Sequence, residues 1–115
     1  MRWVLRSKIH KATVTQANVD YIGSITIDEV LIEKAGLWPG ERVLVVDNTN
    51  GARLETYVMV GDRDSGVICM NGAAAHLINI GDEIIVMGFE LVETPIESHN
   101  HNIVVDKQNK FLRYL

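Results

Sequence analysis

Arg53 can grip a carboxylate through two parallel hydrogen bonds, and Lys8 offers a point charge for the same kind of partner. Arg6, Lys8 and His10 stand two residues apart, so a strand would set them on one face, as a cationic wall of a site or as a solvated stripe. A serine hydroxyl follows a glycine in Tyr21-Ile22-Gly23-Ser24, and a phenol follows a hydroxyl in Thr56-Tyr57. Asn71-Gly72-Ala73 could turn a side-chain amide and unhindered backbone N–H groups toward a ligand, and Ala74 and Ala75 add little bulk, in keeping with a small one. Each segment has a structural use as well. Gly-Ser and Asn-Gly are turn dipeptides, Thr56 suits a strand through its β-propensity, a half-buried tyrosine packs on a barrel, and Asn71-Gly72 suits a tight corner.

The common catalytic scaffolds are missing: there is no Gly-x-Ser-x-Gly elbow, phosphate-binding loop, dinucleotide fingerprint or His-Glu-x-x-His helix. His99-x-His101 could put two imidazoles on one strand face, but no third ligand stands near, so no metal is assigned. Cys69 is the only cysteine, which rules out an internal disulfide and a cysteine-rich zinc site; within Val67-Ile68-Cys69-Met70 it reads as a small buried hydrophobe. The net charge of −4 gives no basic field to hold a phosphate backbone, so nucleic acid is an unexpected partner. An anionic substrate would need a local cationic pocket. Charge interrupts the amino terminus early and no apolar run nears the ~18 residues of a membrane span, so no membrane partner is expected and the protein is read as cytoplasmic.

What must position these residues is mainly β. Short runs rich in Val and Ile predict strands over 3–14, 42–47, 54–60, 67–70, 84–92 and 103–105. One helix is predicted over 28–35, with Asp28 as N-cap and Gly36 as its stop. At 115 residues the chain is one domain with one core. Residues 37–46 and 78–87 resemble each other at an offset of 41, each with an apolar residue, a Gly-acid turn and a buried run. They are either two related halves of a closed barrel or two unrelated strand entries. Closure would remove exposed strand edges, a hazard in a chain this rich in Val and Ile.

Read together, Tyr-x-Gly-Ser-x-x-Ile-Asp at 21–28, Asn-Gly-x-Arg-x-x-Thr-Tyr at 50–57 and Asn-Gly-Ala-Ala-Ala-His at 71–76, with Lys8-Ile9-His10, carry a family resemblance. The chain resembles the aspartate 1-decarboxylases, small pyruvoyl enzymes that make β-alanine for pantothenate synthesis. The match is dense from residue 2 to about residue 89 and fades beyond Phe89. It implies a six-stranded double-psi β-barrel with short helices, assembled as a homotetramer. It also implies cleavage between Gly23 and Ser24 into chains 1–23 and 24–115, the second starting with a pyruvoyl group, and decarboxylation of L-aspartate to β-alanine and CO₂.

That chemistry suits the residues. Decarboxylation leaves an electron pair that no ordinary side chain can accept, so a carbonyl able to form an imine has to be supplied. Ser24 Oγ would attack the Gly23 carbonyl to give an ester, and loss of the Ser24 α-proton would leave dehydroalanine, which hydrolyses to the ketone. Gly23, without a side chain, could take strained φ/ψ values and leave its carbonyl unshielded. By resemblance Thr56 supports self-processing and Tyr57 is the proton donor. Lys8, Arg53, Thr56, Asn71, Gly72, Ala73 and Ala74 bind substrate, with His10 and Tyr21 close by. Thr56 and Tyr57 would point to opposite faces of an ideal strand, so both serve one site only if the strand twists, bulges or ends, or if the site lies between subunits.

Two rivals stand beside this reading. Residues 28–46 also resemble the swapped-hairpin fold of AbrB-type regulators, which would make the chain a non-enzymatic β-barrel binding module. A second rival keeps the pyruvoyl chemistry and changes the amino acid; Lys8 and Arg53 favour aspartate or glutamate, with pocket size deciding between them.

Overall fold

The computed structural model describes residues 1–97 and 100–115; His99 lies outside them. Among the described residues the strands are β1 (Arg2–Thr13), β2 (Gln16–Asn18), β3 (Ser24–Asp28), β4 (Arg42–Asp47), β5 (Arg53–Gly61), β6 (Ile68–Asn71), β7 (Glu83–Val92), β8 (Asn102–Val105) and β9 (Phe111–Tyr114). The helix α1 (Glu29–Ala35) and a 3-10 helix over Gly72–His76 complete the chain. Neighbouring strands run in the order β2-β6-β3-β5-β4-β7-β1-β8-β9. The order looks open, but β1 and β2 are consecutive, and the link between them is itself bonded: the Val14 N–H donates to Asp82 O and the Thr15 N–H to Ile68 O. The ring therefore closes through Val14 and Thr15, leaving few free edges.

All six expected strands are present. Three more were not expected: β2 is short and polar, β9 is a short, mostly exposed Phe-Leu-Arg-Tyr, and β3 alternates Ser-Ile-Thr-Ile-Asp, a period-2 pattern masked by its reading as a motif. In β3 the fully buried Ile25 and Ile27 face the core, against Ile68 and Met70 of β6. β1 carries register shifts after Leu5 and after Ile9, the second containing Lys11 at φ 67°.

The two similar stretches are related halves. Gly40 (φ 82°) and Gly81 (φ 90°) adopt the same left-handed turn conformation ahead of β4 and β7. These strands then pair antiparallel as Leu44↔Met87, Val45↔Val86 and Val46↔Ile85. Adding the offset of 41 to Val45 gives Val86, so the pairing is symmetric about that couple, as a local twofold requires. Each half also holds a short helix ahead of its glycine turn, α1 in the first and the 3-10 helix in the second. The tail, the part least legible in sequence, is built in: β8 runs parallel to β1, and the buried Asn109 amide bonds Thr13 O and Gly66 O while its carbonyl accepts from the Thr13 N–H.

Asp28 ends β3 and caps α1 as expected. Its buried carboxylate accepts from the Val30, Asp64 and Gly66 N–H groups, each at 2.9 Å. Gly36 stops the helix at φ 65°. Asp28→Ala would leave three inward N–H donors without that partner, and should lower the free energy of unfolding in urea by about 3 kcal/mol.

Candidate active site

Antiparallel pairing sets Ser24 opposite Asn71 and Thr26 opposite Cys69. With Ile25 and Ile27 turned into the core, Ser24 and Thr26 lie on the other face of β3, where Asn71 and Cys69 meet them. The Asn71 amide donates to Ser24 Oγ at 2.8 Å and to Thr26 Oγ1 at 3.0 Å, and its carbonyl oxygen accepts from the Cys69 thiol at 3.1 Å. Ser24 is fully buried, and its hydroxyl has Met59 Sδ at 3.1 Å and Ile22 O at 3.5 Å as acceptors. Asn71 and Cys69 are buried too, and burial pushes the Cys69 thiol pKa up, keeping it a neutral donor.

Left-handed backbone falls at Gly72 (φ 67°), and Gly23 is not among the positive-φ residues, so the expected strain at Gly23 is corrected to its neighbour across the strand pair. A Cβ on Gly72 would come within 2.7 Å of Gly23 Cα and 2.9 Å of Gly23 N, and within 3.1 Å of Tyr21 O. Gly72 is needed both for its φ and for this close approach. Gly23 is open by contrast: a Cβ there would meet only Asn71 O, at 4.0 Å.

β5 runs parallel to β3 with Ile25 level with Val58 and Thr26 with Met59. Continued backward, that register sets Ser24 level with Tyr57 and Gly23 level with Thr56. Val58 is buried like Ile25, so Tyr57 and Met59 share the Ser24 face and Thr56 points to the other one. Tyr57, Met59, Tyr21, Ile22, Pro39 and Gly40 line an open cleft of about 410 Å³ beside Ser24. Ala74, largely buried, and the exposed Ala73 follow Gly72 in the 3-10 helix.

The cations are not brought to Ser24 within one chain. Lys8 pairs with Met87 and Asn102 on β1, which β5, β4 and β7 separate from β3 in the strand order. Arg53 is exposed, four residues before Tyr57 on the same face of β5, roughly 13 Å along the strand. Neither has an ion pair among the described residues. His10 shares the outer face of β1 with Lys8; its pKa is lowered by burial, then by Lys8 and Lys11, and its buried Nδ1 has no hydrogen-bond partner. Arg6 is tied to Glu41 and Ser7 instead. Among the described residues no group of three or more His, Cys, Asp or Glu could hold a metal ion. No helix there is long and apolar enough to cross a membrane.

Sequence reasoning missed Thr26, Cys69 and Met59. The first two stand at i+2 from Ser24 and i−2 from Asn71, a signal available once 24–28 is read as a strand. Arg53 is held at the foot of a hairpin that Asp47 organises: its carboxylate accepts from the Thr49 and Asn50 N–H groups, while burial and then Asp82 push its pKa up.

The description "Aspartate decarboxylase" belongs to the family model that matches residues 1–112. Aspartate 1-decarboxylase of Corynebacterium efficiens is 55% identical over 114 residues, covering 97% of this chain and 84% of that one. The protein of that name from Caldicellulosiruptor bescii is 53% identical over 113 residues, covering 96% and 88%, and that of Bacillus subtilis 48% over 116 residues, covering 99% and 91%. Among solved structures, the rationally designed double-psi β-barrel mkDPBB_sym_86 superposes with a TM-score of 0.51 at 17% identity, covering 67% of this chain and 90% of that one. The fold is thus the mainly β, double-psi barrel expected. The swapped-hairpin alternative rested on residues 28–46 alone, and it gives way to a family match over residues 1–112. With a family model matched almost end to end and relatives about half identical, the chain belongs to the aspartate decarboxylase family.

Proposed function

We propose that this carboxy-lyase works on L-aspartate with a pyruvoyl group made from its own Ser24, after cutting itself into residues 1–23 and 24–115, and supplies β-alanine for pantothenate synthesis in the cytoplasm. One observation carries the reading: a fully buried serine hydroxyl, 2.8 Å from an amide donor, whose preceding glycine is packed directly against Gly72. A serine chosen only for a turn would be solvated.

Self-processing needs no outside reagent but water. Ser24 Oγ adds to the Gly23 carbonyl carbon, the C–N bond breaks, and the acyl group passes to oxygen while the Ser24 nitrogen takes a proton. Removal of the Ser24 α-proton then expels the Gly23 carboxylate and leaves dehydroalanine, which takes up water and releases ammonia to give the ketone. Asn71 is suited to support the charge that builds on Oγ as its proton leaves. Gly23 itself brings no side chain to shield the carbonyl that is attacked. Thr56, level with Gly23 on β5, is the proposed aid to this step.

The residues fit such a group: once the ketone is made, Asn71 and Gly72 border it, and Tyr21, Ile22 and Met59 wall the cleft. When present, the pyruvoyl group captures the substrate amine and accepts the electrons released with CO₂. Tyr57, on the Ser24 face, gives the proton to the product carbon. Lys8 and Arg53 neutralise the substrate carboxylates, with His10 kept uncharged beside Lys8. Ala73 and Ala74 limit the space.

A homotetramer accounts for the distance of Lys8 and Arg53 from Ser24, with one copy lending cations to another. Exposed apolar residues support association: Trp3 is 70% exposed, and with Phe89, Val43, Leu44 and the Arg42–Glu55 pair it lines a groove of about 530 Å³.

Intact-mass analysis of the denatured protein should find two chains, 1–23 and 24–115, the larger with a blocked amino terminus that reacts with a carbonyl reagent. Ser24→Ala should leave one chain; a wild-type chain still whole after prolonged warming rejects the model. Tyr57→Phe should cleave normally yet turn over about 10²- to 10⁴-fold more slowly, measured as CO₂ release. Glutamate carries one extra methylene and should react at least about tenfold more slowly than aspartate; equal rates would defeat the substrate assignment.

A further inference from the structure

The Asn71 amide has two faces, and only one of them serves Ser24. With its nitrogen toward β3 it donates to both Ser24 Oγ (2.8 Å) and Thr26 Oγ1 (3.0 Å), and its oxygen is left facing Cys69 Sγ (3.1 Å). Rotated by half a turn, the amide would put its oxygen against Ser24. That oxygen could take the serine proton but could give nothing to the oxygen left behind. Both hydroxyls on β3 can donate or accept, so they do not choose between the two orientations. Cys69 does. Its thiol has a proton to give and its sulfur is only a weak acceptor, so a carbonyl oxygen suits it better than an NH₂ group. Its nearest other acceptor, Met70 O, is 3.9 Å away.

We propose that Thr26 and Cys69 are positioning residues that hold the Asn71 amide in its donating orientation and thereby set the rate at which the Gly23-Ser24 bond is cut. The inference rests on the self-cleavage proposed above. Cys69 supplies the donor that fixes the carbonyl end, and Thr26 supplies the acceptor that occupies the second amide proton, so every polar atom of the Asn71 side chain is engaged. All four residues lie on one face of the β3–β6 pair, and only Thr26 among them is partly exposed. Cys69 is therefore more than a space-filling hydrophobe. Its raised thiol pKa keeps the proton in place over the range in which enzymes of neutral compartments work.

The test follows cleavage with time by intact mass, on whole chains made by cell-free translation and chased after synthesis is stopped. Cys69→Ala and Thr26→Val should each slow cleavage by about three- to tenfold, the effect of one lost hydrogen bond. Cys69→Ser and Thr26→Ser restore the donor and the acceptor, and should cleave within about twofold of the wild type. Thermal midpoints for the serine variants separate this from packing, since rescue of rate at an unrestored midpoint is what a positioning role requires. Wild-type rates in Cys69→Ala, or a Cys69→Ser variant as slow as Cys69→Ala, would overturn the positioning role alone. A wild-type chain that never cleaves would overturn the self-processing reading and this inference with it.

Discussion

The antiparallel register of β3 and β6 is the constraint on which the site depends. It sets Ser24 opposite Asn71, and a slip of one residue would turn Ser24 into the core and expose an isoleucine in its place. Four fully buried side chains, Ile25, Ile27, Ile68 and Met70, oppose that slip. Burial on one face of the strand pair thus fixes polar geometry on the other. Asp28 pins the far end of β3, and Gly72 turns the chain sharply after Asn71, pressing it onto Gly23. The Ser24 hydroxyl, the Asn71 amide and the Gly23-Ser24 peptide are held by hydrophobic packing rather than by their own weak bonds.

The electrostatics divide differently. A chain of net charge −4 that handles a dicarboxylate has to concentrate cations, yet Lys8 and Arg53 stand on outer faces away from Ser24. His10 adds no charge beside Lys8, because burial and the neighbouring cations Lys8, Lys11 and Arg113 together outweigh Glu83 and hold the imidazole neutral. Concentrating positive charge within one barrel wall would cost self-repulsion in every folded monomer. In the proposed assembly, lending it between copies would confine that cost to the assembled state, where a bound carboxylate would offset it.

The strands with continuous Val and Ile runs, the N-cap at Asp28 and the stop at Gly36 were legible in the sequence because each rests on local chemistry. β3 was not, since its Ser-Ile-Thr-Ile-Asp alternation is short and draws attention as a motif before it is counted as a period. The consequence was larger than one strand. Without β3, Thr26 and Cys69 had no reason to be neighbours of Ser24 and Asn71, and Cys69 stayed an inert residue. Gly23 drew the expectation of strain because it precedes the serine, whereas the left-handed φ and the close approach belong to Gly72, 49 positions away in the chain. Positions that depend on non-local pairing are hidden from local patterns. The family motifs pointed to Ser24, Asn71 and Tyr57, but not to Thr26, Cys69 and Met59, which are hydrogen-bonded to Ser24 or Asn71.

Cutting the chain at Gly23 would be ruinous for a fold whose first segment was loosely attached. Here residues 1–23 carry β1 and β2; β1 pairs with β7 from Arg2 to Thr13 and with β8 over Lys8–His10, while β2 pairs with β6. Ile9, Ala12 and Val14 sit in the shared core, and the Val14–Thr15 link closes the ring. The proposed break falls just ahead of Ser24, the first residue of β3, after the unpaired stretch that follows β2. Releasing the short chain would expose that core and uncover edges of β6, β7 and β8, so its loss is opposed by the same terms that fold the barrel. A closed barrel would therefore allow the proposed cut to make a cofactor from the chain without loss of the structure that uses it.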